Sequence, residues 1–386
     1  MTKDSKAQDN KPKENQYYSY NLKQLPKGCQ YCVRGEKLVL FVTGICPRSC
    51  VFCPVSDEKY QKDVTFANER SVKSDEDLIK EAELMRAKGA GITGGDPLTK
   101  LDRTLEYIKL LKQKFGSHFH IHLYTSLNLV TAETLSQLFQ AGLDEIRFHL
   151  ELDDKKLWSK LILAKEHSWD VGVEIPLMPS KEREIKELID FIQDKVKFLN
   201  LNELETADNS QYLLEKNTKD ELSYAIQDSL EVGLKIINYV QEKNYSLAVH
   251  LCTAKLKDKV QLGSRIKRQA KGAKKVFDII DNEGMLNRGA IYLPELFPGF
   301  NYRDRLKTID KAPYIQKLKP LKEKIQKELH LRDDQIFLDE EKPRILLSVK
   351  MLRKNLQLYD KLGLRAALVL EYPTADQLEV EVDFLL

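Results

Sequence analysis

The sequence predicts an α/β fold: a partial (βα)6–7 barrel of the TIM type with a C-terminal α+β lobe. Three observations predict it. From residue 37 to residue 252, short apolar runs alternate with amphipathic stretches, the pattern of βαβ units and a parallel sheet. After Cys252 that alternation stops and the elements become mixed. The chain has 386 residues, 42% of them hydrophobic, enough for one large domain or two ordinary ones.

The elements follow in order. "KLVLFVTG" (37–44) is the first strand. "SVKSDEDLIKEAELMRAKGAG" predicts a helix: Ser74 is an N-cap with Asp77 three residues on, Leu78, Ala82 and Met85 share a face, and Gly89 ends it. "AGIT" is the second strand, and the loop "GGDPLTK" leads to a helix over 101–115. Strand "HIHLYTS" (120–126) precedes helix "TAETLSQLFQAG" (131–142). Strand "LDEIRFHLE", helix "DKKLWSKLILAKEHS", strand "WDVGVEIPLMP" and helix "KEREIKELIDFIQDKV" come next. Strand "KFLNLNELE", a long helical stretch ending near Lys243, and strand "YSLAVHLC" (245–252) complete the series. Seven strands and six helices suit a partial barrel; an open doubly wound sheet is the alternative.

The expected organisation is a disordered polar tail (1–16), an N-terminal extension (17–36), the barrel (37–254), a basic helix and connector (255–310), and a small α+β domain (311–386). In the last strand Leu378, Val380, Val382 and Phe384 alternate with Glu379, Glu381 and Asp383, the pattern of a strand with one wet face. The net charge of +3 says little about partners. No apolar run approaches the roughly 18 residues of a membrane span, and the start lacks the apolar stretch of a secretory signal. A reducing, cytoplasmic setting is therefore expected, where clustered cysteines serve as metal ligands or catalysts rather than disulfides.

Half of the six cysteines fall in "GICPRSCVFCP": Cys46, Cys50 and Cys53, directly after the first strand. In parallel α/β barrels the loops at that strand end build the active site. Three thiolates there can hold one inorganic centre. Structural zinc wants four ligands, and a cubane iron–sulfur cluster has four corners, so three cysteines leave one iron open to an outside ligand.

C-x3-C-x2-C, with Phe52 before the last cysteine and "GGDP" (Gly94, Gly95, Asp96, Pro97) after the second strand, resembles the cluster loop and glycine-rich loop of the radical S-adenosylmethionine superfamily. The resemblance covers roughly residues 37–252. Within the superfamily the chain is similar to a mostly archaeal branch related to pyruvate formate-lyase activating enzymes. The resemblance implies a [4Fe-4S] cluster on Cys46, Cys50 and Cys53, with S-adenosylmethionine on its open iron. It implies that the GGDP backbone binds the cofactor's amino group, with Asp96 in place of the commoner Glu. It implies reductive cleavage to a 5′-deoxyadenosyl radical, hydrogen abstraction from a substrate, and an external flavodoxin- or ferredoxin-like electron donor. Polar residues at strand ends become cofactor candidates: Thr125, Ser126, Arg147, His149, Glu174 and Asn202, with Asn200 and Glu203 beside them. The bland reading makes them ordinary barrel-interior contacts. A non-catalytic zinc module that binds nucleic acid or protein is the alternative to an enzyme.

The other cysteines form a second group. Cys29 and Cys32 make a C-x2-C pair before the first strand; His250 and Cys252 are two apart on the last strand and so share a face. Together they suit a second iron–sulfur cluster or a zinc ion, provided the extension folds back along the open side of the barrel. The bland alternatives are a surface pair and an inert buried Cys252. Residues 255–275 carry nine Lys or Arg against one Asp, which suits an RNA backbone or simply a solvated helix.

Overall fold

The computed structural model describes residues 12–207, 218–219 and 223–385. The chain divides into two compact units, one up to Arg265 and one from Ile266.

The first unit holds strands β1 (Tyr20–Leu22), β2 (Lys37–Phe41), β3 (Phe66–Ala67), β4 (Arg70–Ser71), β5 (Gly89–Thr93), β6 (His120–Ser126), β7 (Glu145–His149), β8 (Asp170–Leu177), β9 (Phe198–Glu203) and β10 (Ala248–Cys252). They form one sheet in the order β1-β10-β9-β8-β7-β6-β5-β2-β3-β4. Seven of them, β2 and β5 to β10, are parallel neighbours in sequence order, the arrangement of a partial TIM-type barrel. Helices α2 (Asp75–Leu84), α3 (Leu101–Phe115), α4 (Ala132–Ala141), α5 (Glu182–Ile192) and α6 (Ser229–Glu242) lie in the crossovers, after the short α1 (Lys27–Cys32). Alternation along each strand separates two environments. On β6, Ile121 and Leu123 join the apolar core, while His120, His122 and Tyr124 hydrogen-bond on the other face.

The extension does fold back. β1 runs antiparallel along β10, pairing Tyr20 with Leu251 and Leu22 with Val249. The chain then turns into α1, which touches β2, β5 and β6. From there Cys29 Sγ meets Asn200 of β9 and Arg147 of β7. Contact with strands from β2 round to β9 means that the sheet curves about this helix. Within the stretch read as a tail, Asn15 bonds Ser19 and Asn21; residues 1–11 lie outside the described residues.

Several expected elements differ. The helix over "DKKLWSKLILAKEHS" is a 3-10 segment, Trp158–Glu166. Its buried residues, Trp158, Leu161 and Ala164, recur every three positions, the 3-10 repeat. Gly89 does not end α2, which stops at Leu84; it opens β5, where a Cβ would lie 2.1 Å from the His120 carbonyl oxygen. The Ser74–Asp77 capping box is present. The long helix before Lys243 is only α6; ahead of it Glu205 bridges Ala225 and Thr218 bridges Ile226, with the rest of that stretch outside the described residues. The basic stretch is helical, first as a π-helix (Leu256–Leu262) and then as α7 (Gly263–Ala273). Two of its cations are spent on Glu205 and Glu69.

The second unit contains strands β11 (Ile279–Ile280), β12 (Leu286–Tyr292), β13 (Ile336–Asp339), β14 (Arg344–Leu347), β15 (Arg365–Glu371) and β16 (Glu379–Phe384). They form an antiparallel sheet ordered β13-β14-β12-β15-β16, with β11 on β12. β12 lies in the stretch read as connector and is the central strand. The last strand buries its apolar side only in part: Val382 packs on the core, but Val380 and Phe384 are more than half exposed, while the Glu379 side chain is shielded against Lys342. β16 is a sheet edge, and the buried Arg344 and Lys342 beside it draw the carboxylate inward.

Candidate active site at the strand ends

The loop carrying Cys46, Cys50 and Cys53 leaves the C-terminal end of β2 and is held by backbone. Gly44 N–H donates to the Lys62 carbonyl (2.8 Å), and Gln61 N–H donates to the Gly44 carbonyl (3.0 Å). A Cβ on Gly44 would sit 1.6 Å from the Lys59 oxygen, so only glycine fits. The Gln61 side chain closes on Cys46, donating to its carbonyl at 3.0 Å. Arg48, between the first two cysteines, pairs with Glu151 and so ties the loop to the end of β7. Burial pushes the Cys46 thiol up and takes that of Cys50 to about 11. Binding a metal here must therefore release protons.

GGDP packs directly on this loop. Gly95 N–H donates to the Thr43 carbonyl (2.7 Å) and Asp96 N–H to that of Ile45 (3.0 Å). A Cβ on Gly94 or Gly95 would lie 2.4 or 2.5 Å from those same oxygens. With both amides engaged, carbonyl oxygens are what the loop offers a ligand, and they suit a donor such as an ammonium group. The Asp96 carboxylate faces β6: it accepts from Thr125 Oγ1 (2.8 Å), Ser126 Oγ (2.7 Å), Ser126 N–H (3.1 Å) and Leu98 N–H (3.1 Å). Thr125 and Ser126, expected to meet the cofactor, thus spend their hydroxyls on Asp96.

Further round, Arg147 is buried with Glu145 (2.5 Å) and Glu174 (2.8 Å), and it also donates to the Tyr124 hydroxyl (3.0 Å). Glu174 additionally accepts from Asn200 (2.8 Å) and Asn202 (2.9 Å). The His149 ring packs at a tilt against Phe52, with centroids 5.5 Å apart. Burial, then the Arg48 charge, takes His149 down to about 3, so it is neutral at physiological pH.

These pieces border one cavity of about 740 Å³. Its wall brings together Cys46, Cys50 and Cys53, Gly94 to Asp96, and the ends of β6 to β9 at Thr125, Ser126, Arg147, His149, Glu174 and Asn202. Pro97 is buried and starts the 3-10 turn after the loop. The volume lies within the usual range for small-molecule sites. The residues present fit a thiolate-held cluster and an adjacent amino-acid-bearing cofactor: three thiols on one side, free carbonyls next to them, polar strand ends opposite. Among the described residues no three His, Cys, Asp or Glu side chains are gathered closely enough to hold a metal ion as they stand, these cysteines included.

A seven-stranded parallel partial barrel with thiols and a glycine loop at its strand ends defines a cofactor-dependent enzyme. Residues 40–192 match the family model described as the Radical SAM superfamily. A protein of Methanocaldococcus jannaschii, provisionally named a glycyl-radical enzyme activating enzyme, is 38% identical over 379 residues, spanning 95% of this chain and 94% of its own. The chain belongs to the radical SAM superfamily and is a radical SAM enzyme; the non-catalytic zinc alternative is overturned. Membership implies a [4Fe-4S] cluster and S-adenosylmethionine. Among solved structures, a maturase of the [FeFe]-hydrogenase aligns over 63% of this chain and 65% of its own (13% identity, TM-score 0.39). Methylornithine synthase aligns over 60% and 79% (14% identity, TM-score 0.36). No helix among the described residues is long and apolar enough to cross a membrane.

Sequence reasoning missed Tyr124, Arg48 and Lys257, all in the cavity wall. Tyr124 was legible as the inward neighbour of His122 and Ser126 on β6. Lys257 was not, because its direction depends on the π-helical register after β10.

Proposed function

We propose that this enzyme cleaves S-adenosylmethionine reductively and abstracts a hydrogen atom from a glycine of a partner protein. The observation that carries it is the single cavity shared by the three loop cysteines, GGDP and the ends of β6 to β9. When bound, the cluster and cofactor supply a 5′-deoxyadenosyl radical that takes the substrate's hydrogen. Cys46, Cys50 and Cys53 would hold three irons, and the Gly94 and Gly95 carbonyls the cofactor's amino group. Arg48 and Gln61 fix the loop so that the cysteines stay together. Neutral His149, packed at a tilt against Phe52, would help to keep water from the cluster side. Glu174 keeps the Asn202 amide turned toward the cavity wall, where it can meet ribose hydroxyls.

A protein substrate is supported by the name of the M. jannaschii relative and by a second cavity of about 740 Å³. That cavity shares Cys50, Phe52, His149 and Pro176 with the first and runs on past Asp153 and Lys181. It offers room for an extended segment reaching the radical. We also infer a flavodoxin- or ferredoxin-like electron donor and a cytoplasmic setting, which would suit an oxygen-labile cluster.

The test is anaerobic. The reconstituted enzyme, with dithionite and S-adenosylmethionine, should form 5′-deoxyadenosine, and the Cys46→Ala, Cys50→Ala, Cys53→Ala triple variant should form none. Extract from source cells grown on α-deuterated glycine is then separated by size. Deuterium should pass into 5′-deoxyadenosine from the protein fraction. Transfer from the small-molecule fraction alone would replace the protein substrate with a metabolite.

A further inference from the structure

Beneath the radical site, inside the barrel, lies a group of donors that the proposed reaction does not use. Cys29 and Cys32 are one helical turn apart on α1 and therefore share a face. The Asn200 amide reaches Cys29 Sγ at 3.3 Å. Asn200 is in register with His250 on the neighbouring strand, and Cys252 follows two residues on, facing the same way. Val33, next to Cys32, packs with Cys252 and Leu256 where the extension crosses the barrel's open side. Three thiols and one imidazole from opposite ends of the first unit are thus set around α1, though not drawn together closely enough to hold an ion as they stand.

His250 points to a missing partner. It is 1% exposed, and among the described residues neither ring nitrogen has a hydrogen-bond partner. Asn200 Oδ1 beside it is also buried and unpaired. Buried polar groups left unsatisfied are destabilising, so such a pair calls for a partner.

We propose that Cys29, Cys32, Cys252 and His250 bind one zinc ion that ties the N-terminal extension to the last strand. Three thiolates and a neutral imidazole make a closed tetrahedral structural set. Arg147 Nη2, 3.5 Å from Cys29 Sγ, offsets its negative charge. Cys252 is packed among apolar side chains, and the helix carrying Cys29 and Cys32 lies close against Arg147, a Cβ on Gly28 falling 2.4 Å from Nη2, which favours a single small ion. Side-chain rotation closes the shell on the ion, as it must at the three loop cysteines.

The test uses the full chain carrying Cys46→Ala, Cys50→Ala and Cys53→Ala, so that the loop holds no iron. Purified without chelator, it should contain about one zinc per chain. Cobalt exchanged for zinc should give a thiolate-to-metal absorption band. Adding His250→Gln or Cys252→Ser should weaken zinc affinity at least about tenfold. Chelation of the triple variant should lower its unfolding temperature and zinc should restore it, a readout that needs no change at the proposed ligands. Less than about 0.1 zinc per chain with no cobalt band, about four irons in zinc's place, or zinc affinity unmoved by both substitutions would each overturn the proposal. None of these readouts depends on S-adenosylmethionine cleavage, so the site and the radical reaction fail separately.

Discussion

Asp96 and Ser126 are joined twice: the carboxylate accepts from the Ser126 hydroxyl at 2.7 Å and from its amide at 3.1 Å. One side chain in the glycine loop thereby sets the position of that loop against the end of β6. Glycine lets the backbone come close, and the carboxylate decides where it stops.

Replacing Asp96 with Ala leaves buried donors on Thr125, Ser126 and Leu98 without their acceptor. Stability should fall by about 1.5–3 kcal/mol, the scale of hydrogen bonds to a charged group. S-adenosylmethionine affinity should fall with it. Urea unfolding and calorimetric titration read the two effects, and an unchanged urea midpoint would remove Asp96 as the lock between loop and strand.

Gly44→Ala forces the cysteine loop off the Lys59 carbonyl, since no side-chain rotation relieves a backbone clash at 1.6 Å. Iron retained after reconstitution should drop severalfold while far-UV circular dichroism stays native, because the strain is confined to the loop. Full iron loading in this variant would mean that the loop is free to move without losing the cluster.

Arg147→Met strands Glu145 and Glu174 in the barrel interior. Removing one partner of a buried ion pair costs about 3–5 kcal/mol. Denaturant unfolding should show a loss on that scale, with exposed Lys156→Met near zero as the control. A loss under about 1 kcal/mol, the surface-pair value, would argue that water reaches the network.

Acid should weaken the apoprotein early. Burial, then the Lys37 charge, takes His120 down to about 2, and burial takes Lys37 down to about 7. Both groups bind protons more readily when unfolded, so stability rises with pH. The His120 contribution is lost as pH falls below its unfolded value near 6.5. Lys37 adds stability as pH climbs from about 7 toward 10.5. Urea midpoints from pH 5 to 9 should rise, and Lys37→Met should flatten the alkaline half. A profile that is level across this range contradicts the burial of these two groups.

The sequence by itself determined the seven parallel strands, the Ser74 cap, and the place of the cysteine and GGDP loops. Each depends on local periodicity or on a motif within a few residues, where backbone geometry is set by near neighbours. Tertiary structure decided the rest. Residues 158–166 became a 3-10 segment because a neighbouring surface buries every third side chain. β12 emerged from an apparent connector because its pairing partners lie some 55 to 80 residues further on, as the register of Ala290 with Leu346 and Ala367 shows. Thr125 and Ser126 turned to Asp96, and Arg147 to Glu145 and Glu174, because a buried donor takes the nearest buried acceptor, which only the folded chain supplies. The same reason brings Cys29 to Asn200 across 171 residues of sequence. Spacing revealed which residues could do chemistry, and long-range packing chose their partners.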